Sequence, residues 1–162
     1  VPAIVGGGVA VERASAEFSA RTAHVAELQS RLWNGIRSRI DCVCLNGAPL
    51  GENRHPCNLN VSAEFIEGEG QLLLCNASGI AVSSGSSCVS RNLKYSSVLS
   101  AIGLDETLAQ GNLIFSVGKD NTSEEIDYVI ESYAGIVERL RGMSPVWDDY
   151  RKGVIQSKIS QD

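Results

Sequence analysis

Cys88 sits in the run Ser83-Ser84-Gly85-Ser86-Ser87-Cys88-Val89-Ser90, where five of its seven neighbours are serine. Such a stretch has almost no apolar area to bury, so it reads as an exposed, mobile loop. An exposed thiol can ionise and attack an electrophile, whereas a buried one is inert. The plainer alternative is an ordinary surface thiol. No histidine flanks Cys88 to act as its base, and His24 and His55 are the only two in the chain. His24 falls on a polar helix face and reads as solvated. His55 lies in a loop before a strand, within reach of a ligand. Cys42 and Cys44 form a Cys-x-Cys on a strand, where period two puts both on one face. A metal there would need two more ligands at suitable spacing. None follows, so both read as structural. Cys75, after three leucines, reads as core, and Cys57 beside Pro56 as the second exposed thiol. Gly6-Gly7-Gly8 matches neither a P-loop nor a dinucleotide fingerprint and reads as a site of close helix packing. Glu67 and Glu69 read as acids serving a helix N-terminus rather than as an acid/base pair.

The whole chain bounds what such a thiol belongs to. It has 162 residues, 43% of them hydrophobic and 20% charged, which suits one globular domain with a core of its own. The formal charge of −5 comes with no basic run, which argues against a nucleic-acid partner. No apolar stretch approaches the ~20 residues of a membrane span. Five cysteines is an odd count with no secretory signal ahead of it, which points to reduced intracellular thiols rather than a disulfide framework. The opening Val1-Pro2-Ala3-Ile4-Val5 has no initiator Met and reads like part of something longer.

The elements that must carry these residues follow from periodicity. Residues 2–20 read as one helix. Val25, Leu28, Leu32 and Ile36 form the apolar face of a second. Asp41 to Leu45 is a short strand stopped by Asn46-Gly47. Leu59, Val61, Ala63 and Phe65 alternate with polar residues as a half-buried strand. Glu67 to Gly70 opens a helix carrying Leu72 to Leu74. Ile80-Ala81-Val82 reads as a strand leading into the serine run. Val98, Leu99 and Ile102 lie on a short helix closed by Gly103. Leu113, Phe115 and Val117 alternate as another strand. Thr122-Ser123-Glu124-Glu125 is a capping box opening a helix with Ile126, Val129, Ile130, Tyr133, Val137 and Leu140 on one stripe. Gly142 ends it, and Pro145 prevents its return. Helices and short strands mix around one small sheet, an α/β or α+β layer.

The stretch Ala81 to Cys88 resembles the active-site loop of the pyridoxal-phosphate-dependent cysteine desulfurases. Other segments fall in that family's order: Arg31-Leu32-Trp33-Asn34-Gly35-Ile36, Asn58-Leu59-Asn60-Val61-Ser62, Glu67-Gly68-Glu69, Val98 to Gly103, Phe115-Ser116-Val117-Gly118, Glu124 to Tyr128 and Met143 to Trp147. The resemblance covers nearly the whole chain. It implies the small C-terminal domain of the aspartate-aminotransferase-like (fold type I) architecture. On that reading 1–21 are the terminal helix of the large cofactor domain, 22–143 the small domain and 144–162 a C-terminal tail. The implied activity takes sulfur from L-cysteine, leaving L-alanine and a persulfide on Cys88. The implied loop is Ser83, Ser84, Gly85, Ser86 and Ser87, and the implied receiver an iron–sulfur scaffold or other acceptor protein. The implied parent is a homodimer; the reduced thiols point only to an intracellular setting, cytoplasm or mitochondrial matrix.

The sequence departs from the family at two places. The Schiff-base lysine the resemblance implies matches none of Lys94, Lys119, Lys152 and Lys158, so cofactor binding is expected outside this chain. The family's arginine that grips the substrate carboxylate is replaced by Ile114, which cannot bind an anion. Two alternatives stay open: a divergent fold-type-I enzyme with another substrate, or a non-catalytic module that keeps an acceptor-binding tail with Trp147, Tyr150, Val154 and Ile159. For that tail, folding back on its own domain is the competing expectation.

Overall fold

The computed structural model describes residues 1–85 and 96–159. Helix α1 runs unbroken over Pro2–Arg39, where two helices are expected. The reason is local: Pro2 occupies the first turn, and no other proline comes before Pro49 to break it. Its two halves differ in surroundings. Residues 1–20 are exposed all round, while Val25, Leu28, Leu32 and Ile36 are buried. Gly6, Gly7 and Gly8 have open space where a Cβ would point, so the close helix packing expected of them is absent among the described residues.

Strands β1 (Val43–Leu45), β2 (Asn58–Ala63) and β3 (Asn112–Ser116) form one antiparallel sheet in the order β1-β2-β3. The register sets Val61 opposite both Leu45 and Leu113, and Leu59 opposite Phe115. Alternation then sorts the two faces. Val43, Leu45, Leu59, Val61, Ala63, Leu113 and Phe115 share the apolar one. The other carries Cys44, Asn60, Ser62 and Ile114. Helix α5 (Ser123–Arg141) packs along α1, and its Ile126, Ile130, Tyr133 and Val137 join the apolar face in one core. The capping box that starts α5 forms as expected: Glu125 N–H donates to Thr122 Oγ1, and Thr122 N–H to Glu125 Oε2.

Helix α2 (Gly68–Ala77) buries Gln71 and Cys75 against α5. Glu67 is its N-cap by position but makes no side-chain cap bond, and Glu69 lies in its first turn. Helix α3 (Ser97–Ala101) matches the short helix expected there. Helix α4 (Glu106–Gln110) is additional, capped by Asp105, whose Oδ1 accepts from Thr107 N–H at 2.9 Å. The strand expected at Ile80–Val82 does not form. The chain makes a single bridge at Ser83 and then turns at Gly85, whose φ of +70° breaks the extended run.

The segment after Gly142 is helical as well. Pro145 begins helix α6 (Pro145–Arg151) instead of ending helical structure, because proline suits the first helical position and Ser144 caps it. Trp147 and Tyr150 of α6 pack on Phe65, with ring centroids 5.5 and 4.8 Å away. Beyond α6, Lys158 N–H donates to Glu64 Oε1 at 2.8 Å. The tail folds back on its own domain.

Candidate active-site arm and its anchorage

The open face of the sheet carries the residues of interest in one row. Asn46 N–H donates to Asn60 O, Asn60 stands opposite Ile114, and Ile114 bridges to Ser83. Asn46 Nδ2 donates to Asn60 Oδ1 at 2.6 Å and to Ser62 Oγ at 2.8 Å, which satisfies these buried and half-buried amides and hydroxyls. The row is neutral. Arg54 lies nearby but spends its donors on the carbonyls of Asn46, Ala48 and Asn58. Lys119 pairs with Asp120. Neither is set up to grip a carboxylate.

Ile114 points away from Leu113 and Phe115, as the alternation requires, and is half-buried while they are buried. Ser83 N–H donates to Ile114 O at 3.1 Å, and Ile114 N–H to Ser83 O at 2.6 Å. Gly85 N–H donates to Ser83 Oγ at 3.1 Å. Ser83, Ser84 and Gly85 thus form the stalk of the serine run on the outer edge of β3. Ser86, Ser87 and Cys88, with Lys94, lie outside the described residues.

The other four cysteines carry free thiols. Cys75 is fully buried, and burial pushes its thiol up to about 11. Cys44 is half-buried, and burial raises its thiol too. Cys42 is buried, as expected, but lies before β1 with φ +51°, so the period-two rule does not place it beside Cys44. Cys57 is not the exposed thiol expected: it is half-buried against the core, because its carbonyl accepts from Val117 N–H and ties the loop to the end of β3. No group of metal ligands occurs among the described residues. His24 is not solvated as expected: it is half-buried, with Nε2 2.9 Å from Asn121 O. His55 is exposed, and its Nδ1 accepts from Cys57 N–H.

One buried cation escapes the sequence reading. Arg141 is 5% exposed, donates to the carbonyls of Glu64 and Cys42, and lies 4.5 Å over the Trp147 ring. It ties α5 to the turn after β2 and to α6. The only sequence signal for it is its spacing from Val137, one helical turn earlier on the buried stripe.

Comparison with known proteins places this arrangement. The aminotransferase class-V family matches residues 1–129. The chain belongs to that family. It is 43% identical over 156 residues to the cysteine desulfurase IscS of Mannheimia succiniciproducens, covering 96% of this chain and 37% of that protein. It is 44% identical over 151 residues to the IscS of Aeromonas salmonicida, covering 93% and 36%. A solved NifS-like protein superposes with a TM-score of 0.72 at 32% identity, covering 86% of this chain and 34% of that one. The chain therefore spans about a third of the length of the relatives it matches. Its fold is part of the fold-type-I aminotransferase architecture, as expected. No helix among the described residues is long and apolar enough to cross a membrane.

Class-V aminotransferases are pyridoxal-phosphate enzymes. The described residues of this chain do not fit that group. It needs a lysine amine held in a cavity, yet Lys119 and Lys158 are paired with Asp120 and Asp105, and Lys152 is exposed. Neither the roughly 580 Å³ groove beside Phe115 and Ile126 nor the roughly 540 Å³ groove beside Arg141 and Trp147 is lined by a lysine.

Proposed function

We propose that this chain is the sulfur-accepting part of a cysteine desulfurase, with Cys88 as the residue that takes the sulfur. The observation that carries the reading is the 43% identity to a cysteine desulfurase across 96% of the chain. The anchored stalk at Ser83 to Gly85 supports it, because it fixes the point from which the chain runs on to Cys88. In net chemistry, the Cys88 thiol and L-cysteine give a Cys88 persulfide and L-alanine. The C–S bond of the substrate breaks, a proton replaces sulfur on its Cβ, and an S–S bond forms on Cys88. Any pyridoxal phosphate used in this reaction would be held by residues other than those described.

In this reading residues 1–21 belong to the cofactor domain, 22–143 to the small domain and 144–162 to the tail. The exposure of the first half of α1, including Ile4, Val11 and Phe18 seven residues apart, supports that division. The persulfide passes to an iron–sulfur scaffold or another acceptor protein inside the cell, from a homodimer.

The test mixes the full-length protein with L-cysteine and weighs it. A gain of about 32 Da on the peptide holding Cys88, absent in Cys88→Ser, is expected. Alanine release with no sulfur on Cys88 would refute the assignment. Ile114 favours a second reading, an enzyme of this fold acting on a different substrate, because this position holds no cation. Under that reading Ile114→Arg raises turnover of L-cysteine, and an unchanged rate rejects it.

A further inference from the structure

We propose that Ile114 is a positioning residue that locks the stalk of the Cys88 arm to the sheet. The inference rests on the desulfurase reading above and adds to it the part that fixes where the arm departs. Ile114 exchanges both of its backbone hydrogen bonds with Ser83 on the outer edge of β3. That leaves Asn60, its partner on β2, as the non-hydrogen-bonded neighbour, whose side chain lies close beside it on the open face.

The side chain completes the lock. Gly85 takes φ +70°, and a Cβ there would lie 3.1 Å from Ile114 Cδ1. The aliphatic end of Ile114 thus fills the space directly under the stalk, and the backbone of Gly85 closes over it. The Gly85 amide also donates to Ser83 Oγ. Two backbone bonds, one side-chain bond and one apolar contact therefore fix three consecutive residues. Cys88 comes three residues after Gly85, so its backbone stays within about 11 Å of that point. Whatever fixes the stalk fixes the origin of that reach.

An aliphatic residue serves this better than a cation would. β-branched isoleucine is stiff at χ1 and suits a strand. Its contact with Gly85 needs no counter-ion. The position thus acts through the arm rather than on substrate.

The experiment uses the full-length protein with Ile114→Ala, Ile114→Val and, from the other side of the contact, Gly85→Ala. Amide exchange of the 79–85 peptide reads the stalk directly. Single-turnover persulfide formation and KM for L-cysteine read its consequence. Faster exchange is expected for Ile114→Ala and Gly85→Ala, with persulfide formation slowed about tenfold to a hundredfold and KM little changed. Ile114→Val, which keeps the β-branch but lacks Cδ1, gives exchange and a persulfide rate between those of Ile114→Ala and the unmodified protein. Unchanged exchange in Ile114→Ala and Gly85→Ala overturns the lock, and so does a raised KM at constant rate in Ile114→Ala, which would place residue 114 on the substrate. If the unmodified protein forms no persulfide, the desulfurase reading fails, while the exchange measurement still decides the lock.

Discussion

Gly35→Ala tests the closest approach in the fold. Gly35 lies on α1 where α5 crosses it, and a Cβ there would stand 2.3 Å from Ile130 Cδ1, 2.8 Å from Cγ1 and 2.9 Å from Cγ2. Carbon atoms in good contact are about 3.5–4.0 Å apart. Rotation about χ2 could move Cδ1 away. Cγ1 and Cγ2 are set by χ1, which a β-branched residue in a helix holds in one well. The helices must therefore separate by roughly half an ångström or more to admit the methyl group. Overpacking of that kind costs about 1–3 kcal/mol. The opposing effect is helix propensity, where alanine gains up to about 1 kcal/mol over glycine. Packing wins, and a net loss of about 1–2 kcal/mol is expected, a Tm lower by about 2–8 °C in thermal unfolding of the chain followed by circular dichroism. Adding Ile130→Ala should cost less in the Gly35→Ala background than alone, because the clash has gone; Ile130→Val should not help, since both Cγ atoms stay. A Tm that rises in Gly35→Ala would mean propensity decides and the crossing is looser than 2.9 Å contacts require.

Tyr133→Phe removes a hydroxyl that is wholly buried and donates to Gln71 Oε1 at 2.6 Å, with Gln71 Nε2 donating on to Gly111 O at 2.9 Å. The Gln71 oxygen is then stranded, and a loss of about 1–3 kcal/mol in urea unfolding is expected; an unchanged midpoint would mean the network contributes nothing. Cys75 gives a pH signature. Its folded-state thiol is raised from 9.0 to about 11, so the folded chain holds that proton more tightly than the unfolded one. The resulting stability is fully present below about pH 9 and is lost as pH climbs from about 9 to about 11. Urea midpoints measured across that window should fall more steeply for the unmodified chain than for Cys75→Ala, and parallel curves would reject the burial explanation.

Much of the scaffold is legible in the sequence because its signals are local. The capping box, the stripe of α5 and the alternation of β3 each lie within a few consecutive turns or residues, and each forms as expected. The errors share a different origin. Whether Ile80 to Val82 make a strand depends on Ser83 finding the edge of β3, a contact between distant parts of the chain that periodicity does not report. Pro145 reads as a stop because proline forbids helix interiors, yet the same ring is well placed at a first turn once Ser144 caps it. The glycines at 6–8 suggest a neighbour that the described residues do not supply. At the site, the outward face of Ile114 is readable from alternation. Its contact with Gly85 is not, because it joins two separate segments. Arg141 is hidden because a buried arginine without a carboxylate looks like any surface cation until the carbonyls of Cys42 and Glu64 are seen around it.

The fold also separates the cysteines chemically. A persulfide is attacked by thiolates, so a protein that carries one must keep its other thiols from competing for the sulfur. Burial does this for Cys75: at pH 7 a thiol raised to about 11 is ionised in about one molecule in ten thousand, against about one in thirty for an ordinary exposed cysteine. Cys44 is shifted in the same direction by the same cause. Cys42 is shielded sterically: it is buried, with its carbonyl held by Arg141. Cys57 is half-covered by the core. Each is thus withdrawn by where its element packs. The serine run is the one cysteine-bearing segment whose composition offers almost no apolar surface to pack with. On the proposed reading, selectivity for Cys88 rests on packing the rival thiols away.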